Sequence, residues 1–243
     1  MKNPLKRIIQ RFYKVYKKKK ITGSEGVYKE WDKEKEGSVA FFEKKLLKGA
    51  MDKRLDPDRR LRKDIRRYLP KDKKELRLLD VGAGPLTRLG YRWGERKIHI
   101  EALDVNGELY RELFERHQVT PPVVTKTSEA EKVNELYEAN TFDFAFSRNA
   151  LDHCYDPIKG IKNMVELIKP GSYALLMHRR NEGHSQGYRG AHLWNFDAEG
   201  EEVIVYNPSV KYTLSKELDG VDVGYRLRKT EKDEWIYVEI YKK

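Results

Sequence analysis

Two closely spaced glycines, Gly82 and Gly84, end a short apolar run that reads LLDV at residues 78–81. An apolar run that stops at glycines is typical of a buried parallel strand that turns into a helix. Because glycine lacks a side chain and tolerates positive φ, the backbone there can pass close to a bound molecule. The dinucleotide fingerprint would place a third glycine at position 87, where this chain has Thr87. The pattern therefore indicates a nucleotide-binding turn without completing that fingerprint.

An acidic residue, Asp104, ends the next predicted strand, which reads IHIEALD at residues 98–104. It follows the glycine turn by about twenty residues, the spacing at which a ribose-binding carboxylate is expected. A carboxylate there can accept charge-assisted hydrogen bonds from two ribose hydroxyls. In the alternative reading, Asp104 or Asn106 only caps the helix that follows. The two signals together favour Asp104 as a ribose ligand.

The order of these elements resembles that of the class I S-adenosylmethionine-dependent methyltransferases over roughly residues 60–243. The likeness also rests on two downstream segments, FDFAFS at residues 142–147 and KPGS at 169–172. It implies an α/β, doubly wound, mostly parallel seven-stranded Rossmann-like sheet with an antiparallel edge strand and a helical N-terminal extension. It also implies an enzyme that binds S-adenosyl-L-methionine through Asp80, Gly82, Gly84, Pro85, Asp104 and Val105.

A narrower resemblance lies in SRNALDH at residues 147–153, and in NEG at 181–183 through HLWNF at 192–196. These segments are similar to a bacterial methyltransferase subgroup that tailors surface glycans and small molecules. The resemblance implies methyl transfer to a hydroxyl or an amine of such an acceptor. Because fold does not fix substrate, the acceptor itself stays open, as does the oligomeric state.

Polar side chains follow the third and fourth predicted strands. Ser128 and Glu129 come where this fold usually holds adenine, although they can equally cap the next helix. Asn149 follows the fourth strand and is predicted to reach the methionine end of the cofactor. Next to it, His153 or Asp152 can remove a proton from a hydroxyl acceptor. The alternative for these two residues is a loop in which the aspartate caps the helix near residue 157.

A polar, glycine-rich stretch covers residues 178–196 and is predicted to be an acceptor-binding lid. Its best acceptor contacts are His192, Trp194 and Asn195. Histidines at 178, 184 and 192 and a glutamate at 182 also fall in this stretch. Because their spacing fits no metal motif, no metal site is predicted.

Composition and charge narrow the class of protein. The chain has 243 residues, one cysteine and no apolar run of membrane-spanning length, which favours a cytoplasmic protein without structural disulfides. The net charge is +11, yet residues 1–20 hold nine Lys or Arg and no acid. The catalytic body is therefore not strongly basic, which argues against a nucleic-acid (RNA) methyltransferase. A non-catalytic cofactor-binding scaffold is the other alternative.

Three parts are predicted along the chain: a basic amphipathic helix at 1–20, a helical linker or cap at 21–55, and the methyltransferase domain at 56–243. The first can lie on an anionic membrane surface, where each lysine contributes about 1 kcal/mol, or dock on protein. In the second, Tyr28 and Trp31 precede a helix at 38–48 and can line the pocket or join the core. Ser38 can cap that helix and Gly49 can end it.

The domain itself is predicted to alternate strands and helices. Further helices are expected at 56–69, 107–117, 130–139 and 157–168. Further strands are expected at 123–125, 142–146, 173–177, 202–206 and 234–241, the last two being expected at an antiparallel edge.

Overall fold

A computed structural model describes residue 34 and residues 37–243. The predicted helix at 1–20, Tyr28 and Trp31 lie outside the described residues. The strands of the described part are β1 (Glu75–Val81), β2 (Lys97–Asp104), β3 (Thr125–Thr127), β4 (Phe142–Arg148), β5 (Ile168–Arg179), β6 (Asn195–Glu199), β7 (Glu202–Tyr206), β8 (Lys211–Thr213), β9 (Val221–Lys229) and β10 (Glu234–Lys242).

Seven of these strands form one sheet in the order β3-β2-β1-β4-β5-β10-β9. The pairs from β3 to β5 are parallel, whereas β10 runs antiparallel to both β5 and β9. The predicted fold class is thus confirmed. Because the strand order reverses between β1 and β4, the carboxyl ends of these strands border the crevice where open α/β sheets bind ligands.

Helices cover one face of the central sheet, whereas residues 61–69 and 89 close the other face with little helix. The helices of the described residues are α1 (37–47), α2 (Asp52–Leu55), α3 (Gly107–Arg116), α4 (Pro157–Leu167), α5 (Glu182–Ser185) and α6 (Leu214–Glu217), with single 3₁₀ turns at Arg66–Tyr68 and Leu151–His153 and a longer one at Ala130–Glu135. Asp156 caps α4 by accepting a hydrogen bond from the Lys159 backbone N–H, and Pro157 occupies its first turn.

The core has two main layers, one on each face of the sheet. Leu79 and Val81 of β1 face the layer that α4 covers, while Leu76 and Leu78 face the other. This alternation is the two-residue period of a strand. Both faces of the central strands are covered, so nearly every residue of β4 and the second half of β1 is buried, polar ones included. The rigid sheet therefore fixes where each strand's carboxyl end projects.

The prediction of a helix at residues 56–69 is wrong, although the apolar residues of this segment are buried as expected. Leu61, Ile65 and Leu69 all lie in the core. The main chain instead forms hydrogen bonds with a segment distant in sequence. The Leu61 N–H donates to the Arg92 carbonyl, and the Arg62 N–H donates to the Leu89 carbonyl. Hydrogen bonds spent on a neighbouring segment cannot close helical turns.

That neighbouring segment, residues 85–96, is the second departure from expectation. A helix is predicted after the glycine turn, but these residues form bends and short bridges. Gly90 adopts φ +91°, and a Cβ there would lie 2.4 Å from the Arg60 carbonyl oxygen. A left-handed glycine in close backbone contact interrupts a helix at this point. The two irregular segments therefore hold each other against the edge of the glycine turn.

Smaller differences concern element ends. Residues 34 and 37 are already helical, so Ser38 does not cap α1 and its hydroxyl lies 3.2 Å from the Tyr110 hydroxyl. The third strand begins two residues later than predicted, and the helix at 130–139 is a 3₁₀ turn that ends at Glu135. Strand β7 pairs with β6 and β8 in a separate three-stranded antiparallel sheet, so the predicted edge is built by β9 and β10. Every helix in the described part of the chain is too short or too polar to span a bilayer.

Candidate active site

One cavity of about 830 Å³ opens at the carboxyl ends of β1, β2 and β4. This volume is in the range of small-molecule sites. The walls come from α1, the glycine turn, the loops after β2, β3 and β4, and residues 189–192. Among the predicted site residues, those that line it are Gly82, Gly84, Asp104, Val105, Ser128, Glu129, Asn149, His153 and His192.

The glycine turn requires both of its glycines. Gly82 and Gly84 adopt φ +72° and +65°, and the Gly82 and Ala83 N–H groups donate to the Leu103 carbonyl at 2.8 and 2.9 Å. A Cβ on Gly82 would lie 2.1 Å from the Ala150 Cβ. The turn therefore locks onto both neighbouring strand ends and presents bare backbone to the cavity.

Asp104 stands beside this turn at the end of β2. Its two oxygens accept hydrogen bonds from the Gly84 and Asn106 N–H groups, each at 2.9 Å. Burial raises the pKa of Asp104, and these two donors oppose that rise. A carboxyl group has further acceptor positions, so this one can also receive hydroxyl donors from the cavity. The arrangement fits a ribose.

Asp80 lies behind the turn rather than in the cavity lining. It is buried, and its carboxylate accepts a 2.5 Å hydrogen bond from the Thr87 hydroxyl. Burial raises the pKa of Asp80 to about 6. Thr87, at the position of the missing third glycine, also accepts from the Leu89 N–H at 3.2 Å. The pair supports the turn from beneath, and Pro85 likewise lies outside the lining.

The end of the cavity near β3 is lined by Ser128 and Glu129. The Ser128 N–H donates to the Asp104 carbonyl at 3.1 Å, which joins this loop to the end of β2. Glu129 pairs with Lys132 at 3.1 Å. Neither side chain hydrogen-bonds a helix N–H as a cap would. Both acceptors thus border the cavity beyond the ribose-fitting carboxylate.

Asn149 sits in the left-handed region, at φ +49°, directly after β4. Its N–H donates to the Met177 carbonyl, and its side-chain oxygen accepts from the Arg179 N–H at 3.1 Å. Asparagine tolerates this conformation better than most residues. The residue therefore ties β4 to β5 while lining the cavity.

A buried carboxylate and three histidines meet where the cavity reaches β5. Asp152 is 1% exposed, and one of its oxygens lies 2.8 Å from His192 Nδ1 and 3.2 Å from His153 Nε2. His178 lies 3.6 Å from the other oxygen and stacks on Phe196. The facing nitrogens of His153 and His192 are 3.0 Å apart. Ligand atoms of Asp152, His153 and His192 are close enough together to hold a divalent cation as well as to share protons.

Electrostatics couple this cluster. Burial disfavours the charge of Asp152, but the histidines outweigh it and hold the pKa of Asp152 well below its usual range. Burial also disfavours the imidazolium of His153, yet Asp152 raises the pKa of His153 above its ordinary value. Because the His153 side chain is 38% exposed, it can meet a molecule in the cavity, whereas Asp152 can act only through its neighbours.

Trp194 and Asn195 lie behind the wall of the cavity. The Trp194 indole N–H donates to the Cys154 carbonyl at 2.8 Å. The Asn195 side chain accepts from the His184 N–H and donates to the Tyr188 hydroxyl, each at 2.8 Å. Both residues are almost fully buried. Trp194 therefore fixes the predicted lid to the loop after β4, and Asn195 holds the lid together and ties it to the Tyr206 carbonyl of β7.

Several residues that line the cavity were not predicted from the sequence. Phe42 of α1 lies against the glycine turn and packs edge-on against Tyr110, with ring centroids 5.4 Å apart. Arg88 and Arg148 line the cavity from beside β1 and from the end of β4. Arg148 immediately precedes Asn149, so its place at a strand end is a signal that sequence can give. Arg88 lies in the segment expected to be helical, which concealed it.

The chain is similar to a known protein family and to several solved structures. A family model described as a methyltransferase domain matches residues 51–209. No curated protein matches the chain. Many solved structures match. One is phosphoethanolamine N-methyltransferase 2 of Haemonchus contortus in complex with phosphomonomethylethanolamine and S-adenosylhomocysteine, at 16% identity over 73% of this chain and 51% of that one, TM-score 0.49. This chain thus spans about half the length of that enzyme.

Two further solved structures are S-adenosylmethionine-dependent methyltransferases of similar size. The one from Methanosarcina mazei is 17% identical over 75% of this chain and 98% of that one, with a TM-score of 0.46. The one from Aquifex aeolicus is 17% identical over 82% and 96%, with a TM-score of 0.43. The family match covers more than half of the chain, including the glycine turn and the Asp152 cluster. The chain therefore belongs to the methyltransferase domain family, and its fold is that of the class I S-adenosylmethionine-dependent methyltransferases.

Proposed function

We propose that this methyltransferase modifies a hydroxyl or an amine of a small-molecule acceptor bound in the cavity. The observation that carries the proposal is the Asp152 cluster, which opens on the same cavity as the glycine turn. A glycan-related acceptor is supported by the sequence resemblance of residues 147–153 and 192–196 to glycan-tailoring enzymes. A cavity of about 830 Å³ also suits a small acceptor better than a nucleic-acid duplex.

The residues around the cavity fit S-adenosylmethionine. Asp104 would hold the ribose hydroxyls, the loop of Ser128 and Glu129 the adenine, and the backbone of Gly82 and Gly84 the methionine part next to Asn149. When bound, this cofactor supplies a methyl group on a positively charged sulfur. The protein's part is then to bind, align and deprotonate the acceptor.

His153 is the proposed general base. In its neutral form it can take the proton of an acceptor hydroxyl, and the adjacent carboxylate of Asp152 stabilises the imidazolium that forms. His192 shares the same carboxylate and so fixes the orientation of the pair. Asp152 is the alternative base, although its burial leaves no path to the acceptor except through a histidine.

This role predicts a pH profile with a defined sign. Only neutral His153 accepts a proton, so kcat should rise as the pH increases through the raised pKa of His153. Asp152→Asn removes the charge that raises this pKa, so the acidic limb should move down by about 1 to 3 pH units while the maximum rate falls. Rates from S-adenosylmethionine labelled in the methyl group, measured from pH 5 to 9, check this.

The same assay tests the base itself. His153→Gln should lower methyl transfer to the productive acceptor by about 10² to 10⁴ while S-adenosylhomocysteine affinity stays unchanged. His184→Gln, at an exposed histidine outside the cavity lining, is the matched control. A twofold change or less in the His153 variant contradicts the base role, and loss of activity with a chelator would show a cation at the cluster instead. Label in RNA would favour the nucleic-acid alternative, and binding without turnover on any acceptor would favour a scaffold.

We further propose that residues 1–20 hold the enzyme at an anionic membrane surface, on the strength of their nine cations and apolar periodicity. Deleting these residues should abolish cosedimentation with phosphatidylglycerol vesicles while leaving S-adenosylhomocysteine affinity intact. Neutral phosphatidylcholine vesicles are the control. Equal sedimentation of the truncated and full-length chains would contradict membrane attachment through this segment.

A further inference from the structure

Four cations gather on one side of the cavity: Lys45, Arg54, Arg88 and Arg148. In the described part of the chain, none of these four residues, called here the cation cluster, makes a salt bridge to a carboxylate. The buried carboxylate of Asp80 opposes the effect of burial on the pKa of Arg88 and of Arg54 without reaching salt-bridge distance. Arg54 is 9% exposed and donates to the Leu86 carbonyl at 3.0 Å. Arg148 lies over the Trp235 ring at 4.5 Å, and its buried Nε has no hydrogen-bond partner. Unpaired guanidinium groups are rarely withdrawn from water in this way.

The members of the cluster also repel one another. Burial, followed by repulsion from Arg88, lowers the pKa of Arg54 and of Arg148 to about 10 each. Burial likewise lowers the pKa of Lys45, with Arg88 and Arg54 adding to it. Such a group destabilises the free protein, and an anion placed among its members would remove the repulsion.

Charge is segregated along the cavity. The acidic side chains of Asp104, Glu129 and Glu131 line the ends of β2 and β3. Arg88 lies beside the glycine turn after β1, and Arg148 lies at the end of β4 next to Asn149. Arg179 also lines the cavity but already pairs with Glu182 and Asp233. If the nucleoside occupies the acidic side, Arg88 and Arg148 lie beside the methionine part of the cofactor and the acceptor.

We propose that the methyl acceptor carries an anionic group, a phosphate or a carboxylate, which Arg88 and Arg148 bind. The inference rests on the proposed function, because it assigns the cofactor to the acidic side. Arginine suits this task since its planar fork can form two parallel hydrogen bonds with either anion. Trp235 stacks on Arg148 and keeps its guanidinium in place, while Lys45 and Arg54 add positive potential behind the pair.

The first test titrates inorganic phosphate into the full chain saturated with S-adenosylhomocysteine, at constant ionic strength. Arg88→Met and Arg148→Met should each weaken phosphate binding at least tenfold. Arg92→Met, which removes the same charge from a 63% exposed surface pair with Asp58, should not change it. Equal phosphate affinity in all four proteins, or no binding in the wild type, overturns the proposal.

The melting temperature distinguishes a binding role of Arg148 from a structural one, because the two roles predict changes of opposite sign in the Arg148→Met variant. Without ligand, Arg148→Met should raise the melting temperature by about 2 to 4 °C, because it removes a half-buried charge that has no carboxylate partner and is repelled by Arg88. Phosphate should stabilise the wild type and not this variant. A lower melting temperature with unchanged phosphate affinity would make Arg148 a structural residue.

A third measurement identifies the source of the anion, because the cofactor has a carboxylate of its own. Arg148→Met should bind S-adenosylhomocysteine and 5′-methylthioadenosine, which lacks that carboxylate, as the wild type does. Weaker binding of the first ligand alone would assign the cluster to the cofactor and overturn the acceptor assignment. Failure of the wild type to bind either nucleoside defeats the proposed function separately, and the phosphate titration without ligand still tests the cluster.

Discussion

Gly82→Ala is expected to destabilise the protein by about 3 kcal/mol and to abolish S-adenosylhomocysteine binding. The added Cβ would lie 2.1 Å from the Ala150 Cβ, and alanine is also strained at φ +72°. Relief requires the glycine turn or the loop after β4 to move, and both line the cavity. Denaturant unfolding and calorimetric titration of the folded fraction measure the two effects.

Gly200→Ala is the matched control for backbone strain. Gly200 has φ +60°, and a Cβ there would meet no atom within 4 Å. This variant should therefore lose only about 1 kcal/mol and keep its affinity for S-adenosylhomocysteine. If the two variants lose equal stability, the close contact between the turn and Ala150 does not constrain the site.

Asp104→Ala should weaken S-adenosylhomocysteine binding about a hundredfold. Two charge-assisted hydrogen bonds to ribose hydroxyls would be lost, at about 1.5 kcal/mol or more each. The Gly84 and Asn106 N–H groups would lose their acceptor as well, so the turn itself would loosen. Calorimetric titration with S-adenosylhomocysteine, and with NAD as a decoy, measures the change.

Glu108→Ala removes a carboxylate from the next helix, outside the cavity lining, and should bind like the wild type. An unchanged affinity in Asp104→Ala would refute the ribose assignment. Preference for NAD over S-adenosylhomocysteine in the wild type would contradict the cofactor specificity of the family.

Local sequence signals placed Gly82, Gly84 and Asp104 at the cavity, although they also included Asp80 and Pro85, which lie outside its lining. The glycine turn and Asp104 each follow an apolar strand, so strand order and spacing alone bring them together. The partition of the chain at residues 20 and 55 stays a prediction. By contrast, Asp152 meets His192 across forty residues of sequence. Only the tertiary path of residues 178–196 closes that distance, and no spacing rule encodes it.

Periodicity failed at residues 56–69 for a related reason. Leu61, Ile65 and Leu69 repeat every four residues and are buried, but a helix also requires its own backbone hydrogen bonds. Those bonds go to residues 89 and 92 instead. Sequence patterns identify which side chains avoid water, whereas the partner of each backbone group depends on distant residues.

The absence of a helix at residues 85–96 changes what sets the potential beside the glycine turn. A helix beginning there would contribute about half a positive charge through its backbone, whatever its side chains. This chain has the full charge of the Arg88 guanidinium nearby instead. A backbone dipole survives almost any point mutation, but a side-chain charge does not. One codon change at position 88 can therefore change the electrostatic potential at this edge of the cavity.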